Sequence, residues 1–380
     1  MLAATEIGPA RAPLDRLSDG LTQAFAGHGA EQIHVPHLHP AEMLLDIYGE
    51  DLRSRAFLFD DPVQRTELCL RPDFTVPVAL AHGAGGWDRR ASYSYCGTVF
   101  RRQEGSTQRP VEFQQAGIES FGTADRTSAD AAIFALIYDS LQRHGIHAPQ
   151  ATLGDLGIIF AVLDALEMPG PRRAALKRHV WRPTRFQDLI AHAIAPPPPS
   201  ALRAEVIALA TDPRGLHDKA TSAAGGEALG QRTMLEITQR TRTLAAAADE
   251  PRMPQADADV IAAVLAVQGP ASAAADRLDN ATRPAGIDIS PALERFVQRH
   301  AAITARDVPA NALRFDAAFG RTLEYYDGFV FEIRATEGDN HPPLAGGGRY
   351  DAMTARLGAV APVPAVGAMI RPEAMLEVLR

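Results

Sequence analysis

The sequence predicts an α+β protein: an antiparallel sheet flanked by helices and interrupted by an inserted helical domain. Three observations lead there. An amphipathic helix opens the chain. Residues 66–71, 91–101 and 112–121 show the β-branched and aromatic alternation of strands. Strand patterns then return near the C-terminus only after a long alanine-rich helical stretch. With 380 residues, 46% of them apolar, the chain is long enough for two or three domains and a large core.

Leu14, Leu17, Leu21 and Phe25 recur at helical spacing across residues 12–28, and Gly27 and Gly29 end that helix. A short strand, Ile33 to Pro36, follows. A glycine-rich turn at 83–86 and a polar loop at 103–110 separate the next three strands, and strands joined in sequence by short loops pair antiparallel. Thr127 and Asp130 read as a capping box for a helix running to about His144 and stopped at Gly145. From 151 to 305 the composition turns alanine-rich, with breaks at Pro169 to Pro171, at the four prolines 196–199, and at Pro251 and Pro254. This stretch reads as the inserted, mostly helical domain, with the proline run as a stiff linker. Strands at Leu313 to Phe319, Tyr326 to Ala335 and Val363 to Ile370 rejoin the sheet, so residues 1–150 and 306–380 form one domain around the insertion.

A net charge of -8 provides no long-range attraction for a polyanion. Cys69 and Cys96 are too few for a disulfide framework and fit a reducing cytosol. The first thirty residues carry Arg11, Asp15 and Arg16 without a continuous apolar stretch, and no run of eighteen apolar residues occurs, so a cytoplasmic protein with no membrane contact is expected. His34, His37 and His39 come nearest to metal-ligand spacing, but they adjoin two prolines, Pro36 and Pro40, and read as a surface loop; no metal is expected.

The chemistry-bearing residues fit an amino-acid pocket. Such a ligand presents an ammonium, a carboxylate and a side chain, and each needs a partner, because an unpaired buried charge is severely penalised. Asp73 and Thr75 are two apart on a segment read as extended, so both face one way and accept from an ammonium. Gln115, Gly117 and Glu119 alternate along the strand 112–121 and share a face. Gln115 hydrogen-bonds either end of the ligand, and Glu119 accepts from an imidazole N–H. Tyr325 and Tyr326 precede Gly328, and Gly346 to Gly348 permit close backbone approach ahead of Tyr350. Arg321 has a fixed charge suited to a carboxylate, and Arg101 follows Phe100. Taken singly, each has a bland reading: a solvated strand residue, a packed tyrosine, a glycine turn. Their joint occurrence carries the argument.

Leu-Arg-Pro-Asp-Phe-Thr at 70–75, Phe-Arg at 100–101, Glu-Phe-Gln-Gln-Ala-Gly-Ile-Glu at 112–119 and the closing segment Pro364 to Met375 together resemble class II aminoacyl-tRNA synthetases. Arg-Thr-Leu-Glu-Tyr-Tyr-Asp-Gly at 321–328 and Ala-Gly-Gly-Gly-Arg-Tyr-Asp at 345–351 narrow the resemblance to the histidyl-tRNA synthetase group, and within it to the family of ATP phosphoribosyltransferase regulatory subunits. The resemblance covers about 10–150 and 310–380 and implies a class II synthetase-like fold whose first helix and strand build a dimer. It also implies a free-histidine pocket formed by Asp73, Thr75, Arg101, Gln115, Glu119, Arg321, Tyr325 and Tyr326, although the synthetases usually have glutamate where Asp73 stands. The implied role is non-catalytic. The chain would be required for activity and feedback inhibition of a separate short-form catalytic subunit in histidine biosynthesis, as a homodimer within a hetero-octamer, with no cofactor and no tRNA.

Activating the carboxylate with ATP would need two arginines on the phosphate charge. Arg101 stands at one position, joined by Arg102 and Arg109; by the resemblance Ala374 occupies the other, with Arg371 three residues early and Glu104 one place late in its loop. Loss of one preorganised donor costs on the order of a hundredfold in rate, so efficient adenylation is not expected. Arg380 ends the sequence where a histidyl-tRNA synthetase continues into an anticodon-binding domain, and none is expected here. Two alternatives stay open at this stage. One is an ATP-dependent amino-acid-activating ligase using Arg101, Arg109 and Arg371, and the other is a free-standing histidine carrier.

Overall fold

The computed structural model describes residues 8–42, 44, 47–48, 54–102, 110–223, 233–320, 325–336 and 342–380. Arg321, Glu104 and Arg109 lie outside the described residues. The chain divides into a larger unit, Met1–Ala165 with Val260–Arg380, and a smaller one, Leu166–Asp259.

In the larger unit, α1 (Gly8–Gly27) buries Leu14, Leu17, Leu21 and Phe25, the stripe read from the sequence. The strand expected at 33–36 is displaced. Instead β1 (Glu31–Gln32) pairs parallel with β5 (Ala91–Phe100), and Ile33 adds one more N–H bond to Ser94. A separate three-stranded antiparallel sheet follows, β2 (Leu38–Pro40), β3 (Leu58–Asp60) and β4 (Glu67–Leu70), with β4 central. Next come α2 (Thr75–Ala84), β5, β6 (Glu112–Phe121), α3 (Arg126–Arg143), β7 (Gln150–Asp155) and α4 (Leu156–Ala165).

The smaller unit carries α5 (Gly170–His179), α6 (Pro183–Ile194), α7 (Ala201–Ala208), α8 (Pro213–Ala223) and α9 (Met234–Ala248). No strand occurs among its described residues. Thr233 and Glu236 form a reciprocal capping box at the start of α9. This unit is narrower than the 151–305 span expected from composition. Residues 151–155 lie in β7, and 260–305 pack with the sheet; an alanine-rich helix has the same composition in either place.

After α10 (Gln255–Leu265) come β8 (Gln268–Pro270), α11 (Ala274–Thr282), α12 (Ser290–Thr304), β9 (Leu313–Asp316) and β10 (Phe329–Arg334). The larger unit then closes with β11 (Ala345–Arg349), α13 (Asp351–Arg356), β12 (Ala365–Ile370) and α14 (Pro372–Val378). The resulting nine-stranded sheet runs β1-β5-β6-β12-β11-β10-β7-β9-β8. From β5 to β7 every neighbouring pair is antiparallel, as expected; the parallel pairings are β1 with β5 and β7 with β9. The first and last parts of the chain meet at β7, which pairs with β10 and β9, and at β6–β12, where Glu119 lies opposite Gly367.

The helix after β6 is capped differently from the expectation. Asp125, not Thr127, is its N-cap and accepts from the Ser128 N–H at 3.0 Å. Asp130 instead is fully buried, with Oδ2 accepting from Arg299 Nε at 2.8 Å and Oδ1 from Arg349 Nη2 at 2.6 Å. Arg299 also reaches Asp155 at 2.6 Å, and Arg349 reaches Asp351 at 2.7 Å. This network joins α3, α12, β7, β11 and α13. The triple glycine is not a turn either; it lies in β11, paired with β10 and β12. Cys69 and Cys96 are free thiols. Among the described residues there is no metal-binding cluster, and no helix is long and apolar enough to cross a membrane.

Candidate functional site

Seven of the eight expected site residues, Asp73, Thr75, Arg101, Gln115, Glu119, Tyr325 and Tyr326, line one pocket. The eighth, Arg321, lies outside the described residues. As these side chains stand, the cavity they leave is small, about 20 Å3, roughly the room of one water molecule, so a larger ligand enters only as the walls move apart.

β6 supplies Gln115 and Glu119 from one face, as the alternation required, and both are about 1% exposed. Asp73 and Thr75 reach the pocket differently from the expectation. Phe74 between them takes a helical conformation (φ -102°, ψ -23°), and Thr75 opens α2, so the segment is a loop entering a helix rather than an extended run. Thr75 Oγ1 donates to Glu119 Oε1 at 2.8 Å. The buried Phe74 ring stacks on Tyr95, 4.2 Å between centroids and 9° between planes. Arg71, from the same motif, is a clamp. Its Nε donates to Thr98 O at 2.7 Å, its Nη1 donates to Val35 O, and its guanidinium lies over Phe74.

Glu119 accepts from three hydroxyls: Thr75, Tyr95 at 3.2 Å, and Tyr350. Burial pushes its carboxyl up to about 8; the Tyr350 and Thr75 hydroxyls pull the other way, and the Asp73 charge adds repulsion. Asp73 accepts from the hydroxyls of Tyr48 and Tyr325, the latter at 3.4 Å. Burial raises the Asp73 carboxyl, while the Arg101 charge, the Tyr48 hydroxyl and the Val76 N–H favour its ionised form. Arg101 is fixed by its own bond to Pro72 O at 2.6 Å and lies over the Phe113 ring. The Tyr325 and Tyr326 rings lie 4.7 Å apart, and Tyr350 meets both edge-on.

Sequence reasoning missed Tyr48, Tyr95 and Gly367 and gave Tyr350 no role. A Cβ at Gly367 would collide with the Glu119 carboxylate, so the absent side chain on β12 makes room for the charged one on β6. Nothing local marks these residues, since Tyr350 and Glu119 are 231 positions apart.

At the C-terminal end, Ala374 is 7% exposed in α14 and offers no charge. Arg371, the nearest alternative, is anchored; its N–H donates to Leu344 O at 2.8 Å and its Nη1 to Pro343 O at 2.7 Å. Glu373 accepts from the Gln114 N–H at 2.8 Å and ties α14 to β6.

The sequence matches the histidyl-tRNA synthetase family over residues 5–241 and 215–375. It is 40% identical over 378 residues to an ATP phosphoribosyltransferase regulatory subunit of Mesorhizobium japonicum, covering 95% of this chain and 97% of that protein. The protein of the same description from Agrobacterium fabrum is 36% identical over 354 residues, covering 91% and 92% respectively. Among solved structures, an ATP phosphoribosyltransferase regulatory subunit/histidyl-tRNA synthetase from Bacillus halodurans has a TM-score of 0.70 at 20% identity, covering 100% of this chain and 82% of that one. Histidyl-tRNA synthetase from Nostoc sp. PCC 7120 has a TM-score of 0.61 at 16% identity, covering 99% and 73%. At such identities the structural likeness shows the fold.

Proposed function

Because the chain belongs to the ATP phosphoribosyltransferase regulatory subunits of the histidyl-tRNA synthetase family, we propose that it binds free histidine in this pocket. In this reading it is required for both activity and feedback inhibition of a separate short-form catalytic subunit in histidine biosynthesis. The observation that carries this is the convergence of Asp73, Thr75, Gln115 and Glu119 with two tyrosines on one buried cavity.

The ligand's ammonium lies against Asp73, Thr75 and Gln115, its imidazole against Glu119, and its carboxylate towards Arg101 and, by the family resemblance, Arg321. Catalysis of adenylation is not part of this role: Ala374 supplies no phosphate-binding charge, and Arg371 is committed to carbonyls of the preceding segment. Inhibition requires that histidine bind two arrangements of the complex with different affinity, since equal affinity shifts nothing. The assembly is a cytoplasmic hetero-octamer built on a homodimer of this chain.

An ATP phosphoribosyltransferase assay of the purified short-form catalytic subunit, with and without this chain and with histidine titrated in, tests the reading. Activity should depend on the chain and fall with histidine only when the chain is present. Histidine-dependent pyrophosphate exchange by the chain alone would instead establish an amino-acid-activating ligase.

A further inference from the structure

Tyr48 is fully buried, lies outside the pocket lining, and directs its hydroxyl at the Asp73 carboxylate. We propose that Tyr48 is a positioning residue of the histidine pocket, whose hydroxyl keeps the Asp73 carboxylate aimed at the ligand's ammonium. This rests on the reading of the pocket given above.

Asp73 has two oxygens to orient, and each has a tyrosine: Tyr48 on Oδ1 and Tyr325 on Oδ2 at 3.4 Å. The two tyrosine rings pack against each other with centroids 6.2 Å apart, so the pair forms a fixed bracket. The charged and titratable groups facing Asp73 come from several elements. Arg101 follows β5, Glu119 is on β6, Tyr325 precedes β10, and Tyr95 is on β5. Only Arg101 among these brings a positive charge, and its Nε is already donated to a carbonyl. Burial works against ionised Asp73, and after Arg101 the Tyr48 hydroxyl is the next largest influence favouring it. A protonated Asp73 would offer the ammonium no ion pair, so the hydroxyl secures both the direction and the charge of the carboxylate.

The test is calorimetric titration of histidine into the full chain, its Tyr48→Phe and Asp73→Asn variants and the double variant, from pH 6 to 8.5. Tyr48→Phe should weaken binding about tenfold at pH 7, with the deficit shrinking as rising pH ionises Asp73 unaided. In the Asp73→Asn background the same change should cost less than about twofold, because its route of action is gone. Wild-type affinity and pH profile in Tyr48→Phe, with Asp73→Asn still impaired, overturns the proposal. Should the wild-type chain not bind histidine, the pocket reading fails instead. The positioning role is then decided in the ligand-free protein by the 13C titration of the Asp73 carboxyl, which Tyr48→Phe should move upward by about one pH unit and whose invariance overturns it. If Tyr48→Phe does not fold, 3-fluorotyrosine at position 48, a stronger donor of the same shape, should move that titration down; no movement is again fatal.

Discussion

At the scale of the single residue, Glu119 combines a carboxyl lifted to about 8 with three hydroxyl donors on its two oxygens. Burial thus favours the protonated form of this carboxyl, and a cationic or N–H-donating ligand would favour the ionised one. Glu119→Gln keeps the shape and removes the acceptor charge; histidine affinity should fall about 10- to 100-fold, with assembly intact. Unchanged calorimetric affinity would remove Glu119 from ligand recognition. The same group gives a pH signature. Its folded value lies above the unfolded value of about 4.3, so between those values the folded chain binds more protons and stability falls as pH rises towards 8. Denaturant titrations of the ligand-free chain at pH 5 and pH 8 should show a larger loss for wild type than for Glu119→Gln. Asp73, Glu119, Tyr325 and Tyr326, named from sequence, line the cavity together with the unnamed Tyr95; strand alternation accounts for Glu119, whereas Asp73 arrives through a turn into α2. Tyr48 and Gly367 were silent, because their partners are far along the chain and a tyrosine in an apolar run reads as packing.

At the scale of elements, periodic signals were legible and special conformations were not. The α1 stripe and the bounds of β5 and β6 follow directly from their spacing. Phe74, by contrast, turns the chain into α2 through backbone angles no side-chain pattern announces. Asp130 illustrates the same limit. An acid three residues after a threonine looks like half of a cap, yet it is the centre of a network holding α3 to β11 and α12. Removing one member of a buried ion network leaves opposite charges uncompensated and costs about 3–5 kcal/mol. Asp130→Ala should lower unfolding free energy by that amount in denaturant titrations. Because Arg349 adjoins Tyr350, the loss should also loosen the donor on Glu119 and weaken histidine binding.

At the scale of the whole molecule, composition suggests an inserted domain over 151–305, whereas the smaller compact unit is Leu166–Asp259, since alanine-rich helices belong to both units. Two compact units imply that thermal unfolding departs from a single two-state transition. Calorimetry should resolve two components. Histidine at about a hundred times its dissociation constant should stabilise only the one holding the pocket, by about 2.7 kcal/mol. A single transition shifted as one would instead mean that the units unfold together. Finally, the nine-stranded sheet ends at β1, two residues long, and at β8, three residues long with Pro270 lacking an N–H. Strands this short give an added backbone little ladder to extend from either end, which disfavours edge-to-edge growth by strand addition there.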